Sequence, residues 1–252
     1  MDLDKLRNEK HCIIAHKIIE GKSLTIKETA QYRWFEYGGN SIQSLMSLSK
    51  PEQLISPIYQ SLLLFLLWVK GPINLLNLGL GGASIERALS GLPEIKLTAV
   101  ESSPYIIEMA KRHFHLSENV ELYCQNAEQY IRDTKSKYNI VLCDLFIAEK
   151  SPEFLFSHNF YFDIAKIVNK KAVIILNIQA DNEQQLMHAL LAIKEQFPHI
   201  ALIEFDDFVN IVLICSSYKI PEPNVLQNRL KCYRDINFNC LNDVIKKMRI
   251  IA

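Results

Sequence analysis

One stretch constrains this chain more than any other: Ile73-Asn74-Leu75-Leu76-Asn77-Leu78-Gly79-Leu80-Gly81-Gly82-Ala83-Ser84-Ile85-Glu86-Arg87-Ala88-Leu89. An apolar run of strand length meets a glycine turn, and helix-like spacing comes after it. Glycine lets the backbone take left-handed angles and lets a ligand approach it. The first N–H groups of the next helix then point at that ligand. A second apolar run, Leu97-Thr98-Ala99-Val100, ends in Glu101 about twenty residues on, where an acid holds ribose hydroxyls in a nucleotide-binding βαβ unit. Ser84 stands in place of the usual third glycine, so the stretch also fits a plain βα connection with Glu101 in solvent.

The rhythm around this stretch sets the fold class. Strands are expected near 73–78, 96–100, 120–124, 139–143 and 171–178, alternating with helices near 83–91, 103–114, 127–134, 158–168 and 182–197. Such alternation gives a mostly parallel sheet covered on both faces. Runs such as Ile140-Val141-Leu142-Cys143 are continuously apolar, as double-sided burial requires. Residues 200–205 and 209–215 read as two strands joined by Asp206-Asp207-Phe208. The fold class is therefore α/β: a methyltransferase-like, Rossmann-type doubly wound sheet with a closing antiparallel hairpin. A small N-terminal β module precedes it, with strands at Ser23–Thr29, Tyr32–Tyr37 and Ile42–Leu48. Residues 1–20 read as a short helix with mixed faces, and Ile58–Val69 as a buried helix. Two tail helices are expected, at 225–234 and near 239–249. The aromatic cluster Tyr32, Trp34, Phe35 and Tyr37 reads as core and hairpin packing. The expected units are 1–57, 58–220 and a helical tail, 221–252.

Composition excludes several classes. With 252 residues, 49% hydrophobic and 22% charged, the chain can bury a large core and does not read as disordered. Its formal net charge is zero, so no basic field draws it to nucleic acid or an acidic membrane. The apolar run Leu62–Val69 is too short to span a bilayer. The charged start Met1–Lys10 is unlike a secretory signal. None of the six cysteines is spaced as C-x-x-C. Cys124, Cys143 and Cys215 lie in strand-like runs as small buried hydrophobes, which points to a reducing, cytoplasmic setting. No Cys/His spacing suits a metal, and neither a nucleophile elbow nor a phosphate-loop lysine motif occurs.

In an open α/β sheet, ligands sit beyond the carboxyl ends of the strands. Those ends offer Gly79-Leu80-Gly81, then Glu101, then Gln125-Asn126-Ala127, then Asp144. A backbone nest, two acids and a carboxamide thus share one rim. Each has a plainer reading: Asn126 as the cap of the next helix, Asp144 as the cap of a short turn, Glu101 as part of a helix start.

Taken together, these residues resemble the spermidine synthases, or polyamine aminopropyltransferases, over roughly residues 23–217. Ile42-Gln43 sits at the family's Ile-Gln and Tyr59-Gln60 at its Tyr-Gln. Glu101 matches the acid on the ribose, and Asp144 the first aspartate of the family's Asp-Ser-Ser-Asp-Pro loop. Glu153-Phe154-Leu155-Phe156 resembles the Glu-Ser-Leu-Phe after that loop. Five positions depart. Gly82 replaces the aspartate that holds the aminopropyl ammonium, and Asn126-Ala127 replaces an Asp-Gly near the adenine. Ile147 replaces the second loop aspartate, and Ala148 the proline after it.

The resemblance implies an S-adenosyl nucleoside, S-adenosylmethionine or its decarboxylated form, as co-substrate, with no tightly bound cofactor and no metal. It assigns Gln43, Gln60, Gly79, Gly81, Glu101, Asn126 and Ala127 to the nucleoside side. Asp144 becomes the base that takes a proton from an attacking amine, and Tyr59 borders that amine. The acceptor is a small amine or other nucleophile, and the assembly a homodimer, with neither nucleic acid nor membrane as partner. Gly82 removes a charge that would repel a donor carboxylate, and Ile147 removes an anchor for a second ammonium. A methyltransferase on the same fold, and a non-catalytic binding protein on the same scaffold, are the alternatives.

Overall fold

A computed structural model describes residues 3–19, 21–39, 41–146 and 150–251. Helix α1 (Leu3–Asn8) leads into four antiparallel strands: β1 (Cys12–Ile19), β2 (Lys22–Glu28), β3 (Tyr32–Tyr37) and β4 (Ile42–Ser47). The helix expected over 1–20 therefore stops at Asn8, and β1 takes its place. The β-branched pairs Ile13-Ile14 and Ile18-Ile19 suit a strand, and pairing with β2 satisfies the backbone of β1. Both outer isoleucines stay in solvent, at 61% and 59% exposure for Ile13 and Ile18, because β1 is an edge. Trp34 and Phe35 are buried, as the packing reading of the aromatic cluster requires. The Trp34 indole donates to Glu36 Oε1 at 3.0 Å, and Lys27 pairs with the same carboxylate.

Helix α2 (Pro57–Leu62) starts at a favourable boundary. Ser56 caps it by accepting from the Ile58 N–H, and proline occupies the first turn. The single helix expected over 58–69 breaks at Leu63, and Leu64–Leu67 continues as a 3-10 turn. Every residue from Ser61 to Leu67 is buried, so no apolar stripe holds an α-helical period there.

The second sheet then builds in βα steps. These are β5 (Ile73–Leu78), α3 (Ser84–Leu89), β6 (Ile95–Glu101), α4 (Pro104–His113), β7 (Glu121–Cys124), α5 (Ala127–Asp133) and β8 (Tyr138–Cys143). A 3-10 turn at Glu153–Phe156 precedes α6 (His158–Ile167), β9 (Val168–Ile178), α7 (Glu183–Gln196), β10 (His199–Phe205) and β11 (Phe208–Ser216). The tail supplies α8 (Pro223–Cys232), α9 (Leu241–Lys247) and a last strand, β12 (Arg249–Ile250), in place of the end of the expected second helix. The strand order is β12-β10-β11-β9-β8-β5-β6-β7. Strands β5 to β9 pair in parallel, while β11, β10 and β12 join antiparallel.

Neighbouring residues of one strand feed opposite cores. Leu75, Ile140 and Ile175 pack on one face of the sheet, and Leu76, Val141 and Ile174 on the other. Leu226, Leu241, Val244 and Ile245 of the tail join the first of these cores. Cys143 and Cys215 are buried as expected, but Cys124 is exposed, because β7 ends the sheet and covers nothing beyond it. Among the described residues no helix is long and apolar enough to cross a membrane. The chain order reverses at β5, which lies between β6 and β8. That switch opens a crevice at the carboxyl ends of β5, β6 and β8.

Candidate active site at the carboxyl ends of the strands

The turn after β5 is shaped by what stands beside it. Gly79 has φ +94°, and a Cβ there would lie 2.3 Å from the backbone oxygen of Asp144. The ends of β5 and β8 thus meet with no room for a side chain. Gly81 has φ +49° with open space around it, and it borders a cavity of about 500 Å³. Gly82 is buried, and a Cβ on it would lie 2.3 Å from Ser44 Oγ and 2.7 Å from Ser44 Cβ. The place of the family's turn aspartate is therefore filled by Ser44 of β4, which bonds Ser84 Oγ at 3.1 Å. Arg87 is buried beneath the turn. It donates to the carbonyls of Gly82, of Phe114 at 2.7 Å and of Pro51 at 2.9 Å. Burial lowers its pKa to about 10, so it stays charged at neutral pH.

Glu101 closes one flank of the turn. Its carboxylate accepts from Leu80 N–H at 3.3 Å and from Ser103 N–H at 2.9 Å. It is half-buried and aimed along the rim by these two bonds. A carboxylate has about four acceptor positions, so capacity remains for hydroxyl donors. Asn126 takes the plainer role: its Oδ1 caps α5 by accepting from Glu128 N–H and Gln129 N–H. Ala127 is buried in the first turn of that helix.

The cavity beside Gly81 collects the remaining groups. Asp144, Tyr59 and Gln43 line it, with Phe146, Asn177, Gln179, Asp207, Phe208 and Asn210. The Tyr59 hydroxyl lies 3.3 Å from the Gln43 carbonyl and also hydrogen-bonds the Asp144 carboxylate. Burial, then the nearby Asp144 charge, holds the Tyr59 pKa well above the ordinary phenol range, so it acts only as a neutral hydroxyl. Asp144 is itself raised by burial, against bonds from Asn177 and Tyr59 that favour its charged form. Gln60 faces away. It is fully buried, donating to Leu54 O at 2.8 Å and to Asn239 Oδ1, and accepting from Cys240 N–H at 3.1 Å. Its amide ties α2 to the tail and does not line the cavity.

A carboxamide chain across the sheet was not legible as a motif. Gln179 Nε2 donates to Asn210 Oδ1 at 3.3 Å, and Asn210 Nδ2 to Asn177 Oδ1 at 2.9 Å. Asn177 Nδ2 then donates to Asp144 Oδ1 at 2.7 Å. Every donor points toward Asp144, whose Oδ1 takes the Asn177 amide while Tyr59 also bonds the carboxylate. The signal in the sequence was Asn177, a polar residue ending the apolar run Ala172–Leu176. Asp207, read only as a turn residue, also reaches the cavity. Ile147 and Ala148 lie outside the described residues. The Glu153–Phe156 turn buries Leu155 and Phe156 and stands away from the cavity.

No protein-family model matches the chain. It is similar to a polyamine aminopropyltransferase of Chromobacterium violaceum, 28% identical over 156 residues, which cover 60% of this chain and 60% of that one. It is also similar to one of Neisseria meningitidis, 25% identical over 177 residues, covering 68% and 67%. Among solved structures, a probable spermidine synthase from Corynebacterium glutamicum superimposes with a TM-score of 0.76 at 14% identity, covering 87% of each chain. Human methyltransferase-like protein 13, solved with SAH, gives 0.63 at 19% identity, covering 76% of this chain and 93% of that one. At these identities the structural likeness shows the fold alone.

Proposed function

We propose that this divergent relative of the polyamine aminopropyltransferases is a transferase that uses an S-adenosyl nucleoside and passes an aminopropyl group to an amine. The observation that carries this reading is the Asp144 carboxylate at the cavity wall, held by Asn177 and Tyr59 beside the glycine turn. Glu101 and the turn backbone take the nucleoside on one side of the switch point. The amine enters on the other side, against Tyr59 and Gln43. Asp144 accepts a proton from it, and the freed nitrogen pair attacks the carbon next to the sulfonium. The carbon–sulfur bond breaks as the carbon–nitrogen bond forms, and neutral 5′-methylthioadenosine leaves. Burial helps here, because a carboxylate with a raised pKa is a better base near neutral pH. Orientation supplies most of the remaining rate. The same reading expects a homodimer, a small-molecule acceptor and no tightly bound cofactor.

Product analysis tests it. The chain is incubated with decarboxylated S-adenosylmethionine and a panel of amines, and separately with intact S-adenosylmethionine. Methylthioadenosine from the first mixture, lost by about 10²–10⁴-fold in Asp144→Asn, supports the transfer. S-adenosylhomocysteine from the second mixture would favour the methyltransferase reading. Product from neither mixture would leave a binding role.

A further inference from the structure

Two polar side chains lie almost wholly buried under the glycine turn. Asn77 on β5 and Glu86 on α3 are each 1% exposed. Asn77 Nδ2 donates to the Gly79 carbonyl at 2.9 Å and to Glu86 Oε1 at 2.7 Å, which engages both of its hydrogens. Two atoms remain: Asn77 Oδ1 and Glu86 Oε2 are buried without a partner. A carboxylate cannot satisfy either of them, since both are acceptors. One proton on Glu86 Oε2 satisfies both, because the acid O–H then donates to the amide oxygen while the amide N–H donates back. Burial and, less strongly, the like charge of Asp144 favour that proton, while the positive charge of Arg87 opposes it. Asp144, at the end of β8, is a like charge, and Tyr59 on α2 offers only a neutral hydroxyl. Arg87, the next residue on α3, has its guanidinium engaged by the carbonyls of Pro51, Gly82 and Phe114.

We propose that Glu86 is held as the neutral acid in a reciprocal pair with the Asn77 carboxamide, and that this pair is the positioning element that sets the Gly79–Gly81 turn. Asn77 grips the first carbonyl of the turn, the next N–H orients Glu101, and Gly79 touches the Asp144 backbone. The turn, the ribose acid and the base therefore hang from one buried pair. Burial raises the Glu86 pKa to about 7, so the proton is lost within the working range of pH. Glu86 also borders a second cavity of about 600 Å³, beside Leu89 and Leu92, which gives the proton a route of exchange. Deprotonation sets two acceptors against each other and slackens the hold on Gly79.

Glu86→Gln tests this, because a glutamine carboxamide keeps the acceptor and puts an N–H where the acid has its O–H. Thermal unfolding of wild type and variant is tracked from pH 4 to 8.5 with no ligand present, so this arm is independent of the transferase reading. The wild-type midpoint is expected to fall relative to the variant as pH rises from about 4.5 to about 7, and the difference to hold constant above 7. Parallel curves over the whole range would overturn the pair. Methylthioadenosine affinity, by calorimetry, reads the positioning. Where only the neutral form holds the turn, the competent fraction falls roughly tenfold per pH unit above about 7, and the glutamine variant does not share that fall. Equal pH profiles in the two proteins would reduce the pair to packing. Should the variant fail to fold, a carboxylic-acid infrared band in Asp144→Asn reads the same proton: loss of the band between pH 6 and 8.5 supports the proposal, and its absence at pH 6 refutes it.

Discussion

Gly79→Ala should damage this protein more than any other change in the turn, and the structure sets the scale. Gly79 lies at φ +94°, where an L side chain is strained by about 1–2 kcal/mol. The new Cβ would sit 2.3 Å from the Asp144 oxygen and 3.0 Å from its carbonyl carbon. Ordinary contact is nearer 3.5 Å, so the ends of β5 and β8 must part by roughly 1 Å. One ladder bond crosses that junction, Asp144 N–H to Leu78 O at 2.9 Å, while Gly79 N–H bonds Val100 O of β6 on the other side. Losing most of its value adds about 1 kcal/mol, for a total near 2–3 kcal/mol. A domain stable by about 5–15 kcal/mol would still fold. Its base, however, would be displaced by roughly the distance that costs 10²-fold in rate. Denaturant unfolding and methylthioadenosine calorimetry are the assays, with Gly81→Ala as control. Gly81 is also left-handed but has nothing within 4 Å, so its variant should show only the backbone strain. If the two variants lose equal stability and bind alike, the contact with Asp144 does not shape the site.

Two further outcomes rest on buried groups. The folded pKa of Asp144 is raised above its unfolded value by burial, so its charged form costs stability, and that cost grows as pH rises through the raised value. Asp144→Asn should therefore gain stability over wild type as pH rises, while wild-type turnover increases over the same range; turnover and stability moving together would contradict the assignment. Gln60→Ala should lose about 2–4 kcal/mol, because it leaves the Cys240 N–H and the Leu54 carbonyl unpaired in the core. Nucleoside affinity should change less than about 2-fold, under 0.5 kcal/mol; a collapse in affinity at preserved stability would return Gln60 to the ligand side.

How each segment is buried decided what could be read in advance. Strands with both faces covered are continuously apolar, so β5, β8 and β9 announce themselves, and the glycine turn and Asp144 at the ends of β5 and β8 come with them. Strand β1 could not be read this way. It is an edge with two exposed isoleucines, and its pattern has neither period. The break at Leu63 was hidden because residues 61–67 are buried all round, which erases the helical stripe. Within the site, Tyr59, Gln43, Gly81 and Asp144 do meet at one cavity. The carboxamide chain escaped because Asn177 and Asn210 belong to strands far apart in sequence, and only the β9–β11 register sets them side by side. Asn77 escaped for a similar reason. A single polar residue inside an apolar strand has no spacing of its own, and its partner arrives with the next helix.

The turn acid of the resembled family is not merely missing here; its place is built over. Ser44 comes from the N-terminal module and stands where the Cβ of residue 82 would go. Ser84 bonds it from the start of α3, and Arg87 holds the Gly82 carbonyl from below while also gripping Pro51 and Phe114. Restoring a carboxylate at 82 would mean pushing β4 away from the turn and placing a third acid near Glu86 and Asp144. The uncharged position 82 and the seat of Ser44 on the turn are thus coupled in this structure. On the proposed reading, with no acid at position 82, a donor tail in this cavity would meet the Ser44 hydroxyl and two carboxylates, Asp144 and Asp207. Hydroxyls both donate and accept, so they bind an ammonium or a carboxylate without the repulsion an acid would impose. The choice between intact and decarboxylated donor would then pass from the glycine turn to Asp144 and Asp207 at the cavity wall.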